Sequence, residues 1–369
     1  MKLKTLPVAT AVGALMVSSC VHAPPSNRAP TISAFAAVTP SGSSPLTTAL
    51  GWSISDPDGD SMTCRLDLDN DGTVDKTVTS CTSESLRTTT FAAVGATTVK
   101  LEVSDGTNAP TTRTTVVTVA APNPDAFNID VRLDASVPPA VATIFEDAAT
   151  RWEGMIKTGL PDDPGGFPAG YCRPGTAAIT GAIDDVVIDV DVQAIDGPGG
   201  ADANGGGCEF RTDGTTILGT MRVDLDDLPT FLAAPAYFGD VITHEMGHVL
   251  GLGVGPNWNT NVTVGAAPTF DGKAANGIFQ ELGGVGVIPI RDADNSSAGI
   301  PGHWSEDTFG LEIMTPESGP SDVTPLSALS VAAMADLGYG VDLTNAEAYG
   351  LPGPATASKA KTATDVRSH

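Results

Sequence analysis

Between residues 29 and 121 the chain runs in short stretches rich in Val and Thr, such as Leu101-Glu102-Val103 and Thr114-Thr115-Val116-Val117-Thr118-Val119. Turn-forming clusters separate them: Asp56-Pro57-Asp58-Gly59-Asp60, Asp71-Gly72 and Asp105-Gly106. This texture predicts strands, and no helical period interrupts it. The expected unit is a small all-β sandwich. Past a proline-containing linker at 122–126 the pattern changes. Residues 127 to 133 alternate as a strand does. Pro138 and Pro139 then open a helix whose apolar residues Val141, Ile144, Phe145, Ala148, Trp152, Met155 and Ile156 fall on one side. Residues 186–192 and 219–225 read as further strands, and the Gly- and Asp-rich stretch 196–207 reads as a long loop tied down by Cys208. Strands mixed with helices predict a second, α+β domain over 127–351.

The two ends differ from both domains. Lys2 and Lys4 precede an apolar run from 6 to 17, the order of an export signal over 1–20 and too short to span a membrane. Val17-Ser18-Ser19-Cys20 resembles the lipobox of bacterial lipoproteins, which would make Cys20 the lipidated first residue of a cell-surface or outer-membrane protein; a plain secretory signal is the alternative. Residues 21–28 read as a tether and 352–369 as a disordered tail. With 19 basic against 44 acidic side chains the net charge is −25, which argues against nucleic acid and leaves a lipid anchor as the route to a membrane. An oxidising compartment favours pairing Cys64, Cys81, Cys172 and Cys208. Three pairings exist, and the spacing favours Cys64 with Cys81 and Cys172 with Cys208.

Two motifs carry chemistry. In Asp67-Leu68-Asp69-Asn70-Asp71-Gly72-Thr73-Val74-Asp75, the carboxylates Asp67, Asp69, Asp71 and Asp75 with Gly72 match the first part of a calcium loop. Val78 stands where the bidentate glutamate belongs, and an acidic hairpin turn explains the stretch equally well. The second motif is Thr243-His244-Glu245-Met246-Gly247-His248-Val249-Leu250-Gly251. At about 100° per residue, His244 and His248 lie roughly 40° apart on one side of a helix, with Ile242, Met246, Val249 and Leu250 gathered on the other. Two imidazoles so placed suit zinc, and Glu245 between the faces can serve a water without being a ligand. Of five histidines, His22 and His369 lie near the ends, which leaves His303 as the candidate for a third histidine.

These residues carry two resemblances. Trp52, the Asp-rich turn after it and Lys100-Leu101-Glu102-Val103-Ser104-Asp105 resemble Ig-like modules of the polycystic-kidney-disease-repeat type, which implies a surface ligand for that module. His244, Glu245, His248 and the turn glycine Gly251 resemble the metzincin pattern, but Val254 holds the place of its third histidine. His303-Trp304 after an insertion, then Glu312-Ile313-Met314-Thr315-Pro316, resemble leishmanolysin-like peptidases. That resemblance implies a zinc metalloendopeptidase acting on protein or peptide, with one zinc ion on His244, His248 and His303, Glu245 as base and Met314 as the Met-turn beneath the metal. A calcium ion is the second cofactor considered. A binding protein built on an inactive peptidase and a zinc hydrolase acting on something other than protein are the competing classes. The resemblance also implies a cysteine-blocked precursor, and the paired cysteines before 127 leave no thiol for it.

Overall fold

The computed structural model describes residues 27–82, 84–291 and 300–352, with the backbone of 367–368. The export signal with Cys20, most of the tether and most of the tail lie outside the described residues. Eight strands build the amino-terminal part: β1 (Thr31–Ala37), β2 (Ser41–Ser43), β3 (Leu46–Ser55), β4 (Thr63–Asp67), β5 (Lys76–Val78), β6 (Glu84–Phe91), β7 (Gly95–Ser104) and β8 (Thr111–Ala120). They form a three-stranded sheet, β1-β3-β6, and a five-stranded sheet, β2-β8-β7-β4-β5. Inward positions alternate with outward ones, so Leu50, Trp52 and Ile54 meet Val99, Leu101 and Val103 in one apolar core. Cys64 and Cys81 are bonded within this sandwich.

The second part opens with β9 (Ile129–Leu133) and α1 (Ala142–Glu153), followed by β10 (Val186–Gln193), β11 (Ala203–Phe210) and β12 (Thr216–Asp224). α1 ends before Met155 and Ile156, which the apolar stripe had included; both are buried all the same, their amides bonded to the Trp152 carbonyl at 2.8 Å. The sheet order is β11-β12-β10-β9, with β9 and β12 parallel to β10 and β11 antiparallel at the edge. β10 is buried along most of its length, although Asp189 and Asp191 alternate with its valines. Strand β11 departs from expectation, because the sequence there reads as loop. Its glycines serve proximity: a Cβ on Gly205 would lie 2.6 Å from the Glu245 carbonyl oxygen, so only glycine lets the strand rest on the helix behind it. Cys172 and Cys208 are bonded, which ties the loop before β10 to this edge strand.

α2 (Leu228–Ala233) leads into α3 (Pro235–Val249), and after it come α4 (Pro256–Thr260), β13 (Val262–Thr263), β14 (Thr269–Phe270), α5 (Lys273–Glu281), β15 (Ile288–Arg291), β16 (His303–Trp304), α6 (Glu306–Phe309) and α7 (Ala328–Asp336). α5 packs on α7, and Asp336 of α7 accepts hydrogen bonds of 2.9 Å from the Ala274 and Ala275 amides at the start of α5. α5 also lies along β6 of the sandwich. There Gln280 Oε1 accepts from the Leu86 amide at 2.9 Å, Glu281 Oε1 from the Thr88 amide at 2.9 Å, and Lys76 pairs with Glu281 at 3.2 Å. The amides on the border of β6 are thus satisfied by helix side chains. No helix among the described residues is long and apolar enough to cross a membrane.

Candidate metal centre

α3 is the axis of the site. Its sequence predicts one buried face and one that offers imidazoles; the structure buries every residue from Val241 to Val249. The cause is packing on several sides, with α1 on one flank and β11 and β12 on another. Trp152 of α1 locks the register by donating from Nε1 to the Thr243 carbonyl at 2.9 Å. His244 and His248 project together, and His303 arrives from β16, whose pairing with β15 sets Arg291 opposite it.

The three rings converge. His248 Nε2 lies 2.9 Å from His244 Nε2 and 3.2 Å from His303 Nε2. On their other side, His244 Nδ1 is 2.6 Å from the Ile313 carbonyl and His248 Nδ1 is 2.7 Å from the Leu252 carbonyl. A carbonyl only accepts, so each Nδ1 is the donor and each Nε2 keeps its lone pair. Two such lone pairs face to face repel, and the spacing makes chemical sense with a cation among them. Neutral imidazoles held in this tautomer are the donor set of a borderline-soft divalent ion.

Gly251 explains one of these orientations. With φ at 111° it takes a conformation that side chains disfavour, and the chain folds back so that the Leu252 carbonyl meets His248. The same turn abuts the third histidine: a Cβ on Gly253 would clash with the carbonyl of Gly302, the residue before His303. Met314 lies beneath α3, its sulfur 2.7 Å from the point a Cβ on Gly247 would occupy. Met314 is fully buried and its backbone nitrogen and carbonyl are both bonded.

Glu245 is buried on the same helix, and its Oε1 has no hydrogen-bond partner. Burial pushes its carboxyl up to about 8, the charge of Asp202 adds to this, and the Gly205 amide opposes it. A buried carboxylate oxygen left unpaired on the helix that carries two of the converging imidazoles is the feature that sets this site apart from an ordinary core. Burial also lowers His248 from the usual imidazole range, which favours its neutral form. Asp202, not singled out from sequence, accepts from the Tyr237 hydroxyl and stands close enough to Glu245 to act on it. Its position in a Gly-Asp run that reads as loop hid it.

Of the four carboxylates in the calcium-like loop, Asp67, Asp69 and Asp71 bring oxygens within 4.8 Å of one another. Asp75 is engaged elsewhere, accepting from the Leu68 amide at 2.6 Å. Asp67 already receives Lys100 at 2.9 Å and the Asp71 and Gly72 amides at 3.1 Å, and the Lys100 ammonium holds its carboxyl below the usual range. Asp56, Asp60 and Asp105, read from sequence as turn residues, form a similar acidic group.

No protein-family model matches the chain, and no curated protein matches it. Several of the solved structures that match are PKD domains. One, from an M14-like peptidase of Thermoplasmatales archaeon SCGC AB-540-F20, is 21% identical over 26% of this chain and 98% of its own, with a TM-score of 0.22. The PKD1 domain of Vibrio anguillarum Epp is 23% identical over 26% of this chain and 99% of its own, with a TM-score of 0.20. The PKD domain of the human VPS10 domain-containing receptor SorCS2 is 14% identical over 33% and 99%, with a TM-score of 0.22. All three are similarities to β-sandwich domains over a minor part of the chain, and the histidine cluster draws nothing from them.

Proposed function

We propose that the chain is a zinc-dependent endopeptidase of the leishmanolysin-like metzincin kind, exported and held at the cell surface through Cys20. The observation that carries this reading is the convergence of His244, His248 and His303 Nε2, with Glu245 Oε1 unpaired on the helix that bears the first two. Those three nitrogens would hold the ion, and the orphaned carboxylate oxygen fits a group that handles protons. Zinc, when bound, supplies a Lewis acid that polarises a carbonyl and acidifies water. The positive charge of a bound ion would favour the ionised carboxylate, and Glu245 then takes the proton of the attacking water at Oε1 and returns it to the departing amine. Met314, buried and bonded through its backbone alone, supports the floor of the site.

β11 gives the substrate a place to lie. It is the border strand of its sheet, and Gly205 sets it directly against Glu245. An extended peptide added to that border has its backbone paired with β11 and its carbonyls passed across the histidines. The sandwich, in this reading, offers a surface for a ligand outside the cell. The test is zinc content together with cleavage of casein or a quenched peptide, with and without a chelator, for the wild type and Glu245→Ala. The reading requires that chelation and the substitution each stop cleavage while Glu245→Ala keeps its zinc. A wild type that binds zinc and cuts no peptide would overturn it in favour of a binding protein.

A further inference from the structure

Glu312 is fully buried, and hydroxyl and amide donors meet both oxygens of its carboxylate. Its Oε1 accepts from Ser327 Oγ at 2.6 Å, Ser330 Oγ at 2.8 Å and the Ser327 amide at 3.3 Å; its Oε2 accepts from the Met314 amide at 2.8 Å. Burying a carboxylate costs several kcal/mol before such bonds offset it, and an apolar side chain would fill the same space without that cost. The bonds therefore need a purpose beyond packing.

That purpose lies one bond further out. Ser330 Oγ, held by Glu312, accepts from Trp304 Nε1 at 2.8 Å, and Trp304 is the neighbour of His303. The backbone turn that Glu312 pins offers the Ile313 carbonyl to His244 Nδ1 at 2.6 Å and the Met314 carbonyl to the Trp304 amide at 3.0 Å. One carboxylate thus braces the acceptor that orients His244 and, from two directions, the residue that carries His303 into place. Resting on the zinc reading above, we propose that Glu312 is a positioning residue that sets the angle between His244 and His303 through the 312–315 turn, Ser330 and Trp304.

Glu312→Gln tests it in the full chain with little change of volume. A glutamine oxygen can still take the two serine hydroxyls, but its NH2 then faces the Met314 N–H, donor against donor, and the turn must shift. Zinc affinity, read by competition with a chelator, should fall about 10- to 100-fold, and the visible spectrum of the cobalt-substituted protein should change. Asp185→Asn is the control: this buried carboxylate binds the Asn128 and Leu160 amides, on segments that carry no histidine. Its affinity should stay within about twofold of wild type. A folded Glu312→Gln with wild-type affinity and cobalt spectrum overturns the proposal, as does an equal loss in Asp185→Asn. If Glu312→Gln fails to fold, Ser330→Ala decides, with about tenfold weaker zinc expected and unchanged binding against it. A wild type that binds neither zinc nor cobalt defeats the zinc reading itself.

Discussion

Burial pushes Glu245, Glu312 and Asp336 all above the ordinary carboxylate range, to about 8, about 7 and about 6, yet their surroundings differ. Glu312 and Asp336 are met by donors, whereas Glu245 keeps one oxygen unpaired. Glu245→Gln should accordingly keep its metal and lose about 100-fold or more in kcat, measured on a quenched peptide with zinc content determined in parallel. Asp336 gives a different prediction. Its folded value lies above the ordinary 3.8, so the folded state holds its proton between about pH 4 and 6 while the unfolded state has lost it. Stability from this group is therefore greatest at acid pH and falls as pH rises through that window, by at most about 3 kcal/mol. The difference in melting temperature between wild type and Asp336→Asn should move against the wild type from pH 4 to pH 6.5, and a constant difference would contradict it. The residues at the centre were legible because helix spacing is local, and scarcity of histidine pointed to His303. The carbonyls of Ile313 and Leu252, which choose the histidine tautomers, are backbone atoms and leave no trace in side-chain identity. Glu312 stood in a short motif that named its neighbour Met314 and hid its own bonds to Ser327 and Ser330.

Strands β9, β10 and β12 could be read from alternation or apolar runs, because each packs in the ordinary way against a helix layer. β11 could not. Gly205, Gly206 and Gly207 have no side chains to alternate, and the reason for Gly205 is a helix that only the folded chain brings near. Gly205→Ala is thus a test at this scale. Its Cβ would meet the Glu245 carbonyl oxygen at 2.6 Å and Glu245 Cβ at 3.1 Å, and backbone has little room to yield. The edge strand must move outward, at about 1–3 kcal/mol for such overpacking. The expected result is a loss of kcat/KM of about 10- to 100-fold with zinc retained, since the carbonyls that orient His244 and His248 belong to Ile313 and Leu252, outside β11. Loss of zinc together with activity would mean that the strand shapes α3 itself. The all-round burial of α3 was equally out of reach, because the polar residues that mark an exposed face in sequence are here the working residues of the site.

The sandwich and the histidine-bearing part meet through α5, whose Gln280 and Glu281 reach β6 and whose other side packs on α7. Thr47 Oγ1 adds a bond of 2.8 Å to the Val341 carbonyl, and Thr158 Oγ1 one of 3.1 Å to the Ser44 carbonyl. The two parts are thus joined by direct contacts as well as by the linker at 122–126. Calorimetry of the full chain should give one transition, and Gln280→Ala with Glu281→Ala should lower its midpoint by several degrees or split it, since each lost bond leaves an amide at the seam unsatisfied. Two independent transitions in the wild type would argue that the seam carries no stability. The capped border of β6 has one more consequence. A strand border with bare amides is a template for another chain, and the helix is what denies it. Cut free of its neighbour, the sandwich would present Leu86 and Thr88 N–H groups to any passing copy, so the shortened protein should gather into larger species on gel filtration, and added charge on β6 should disperse them.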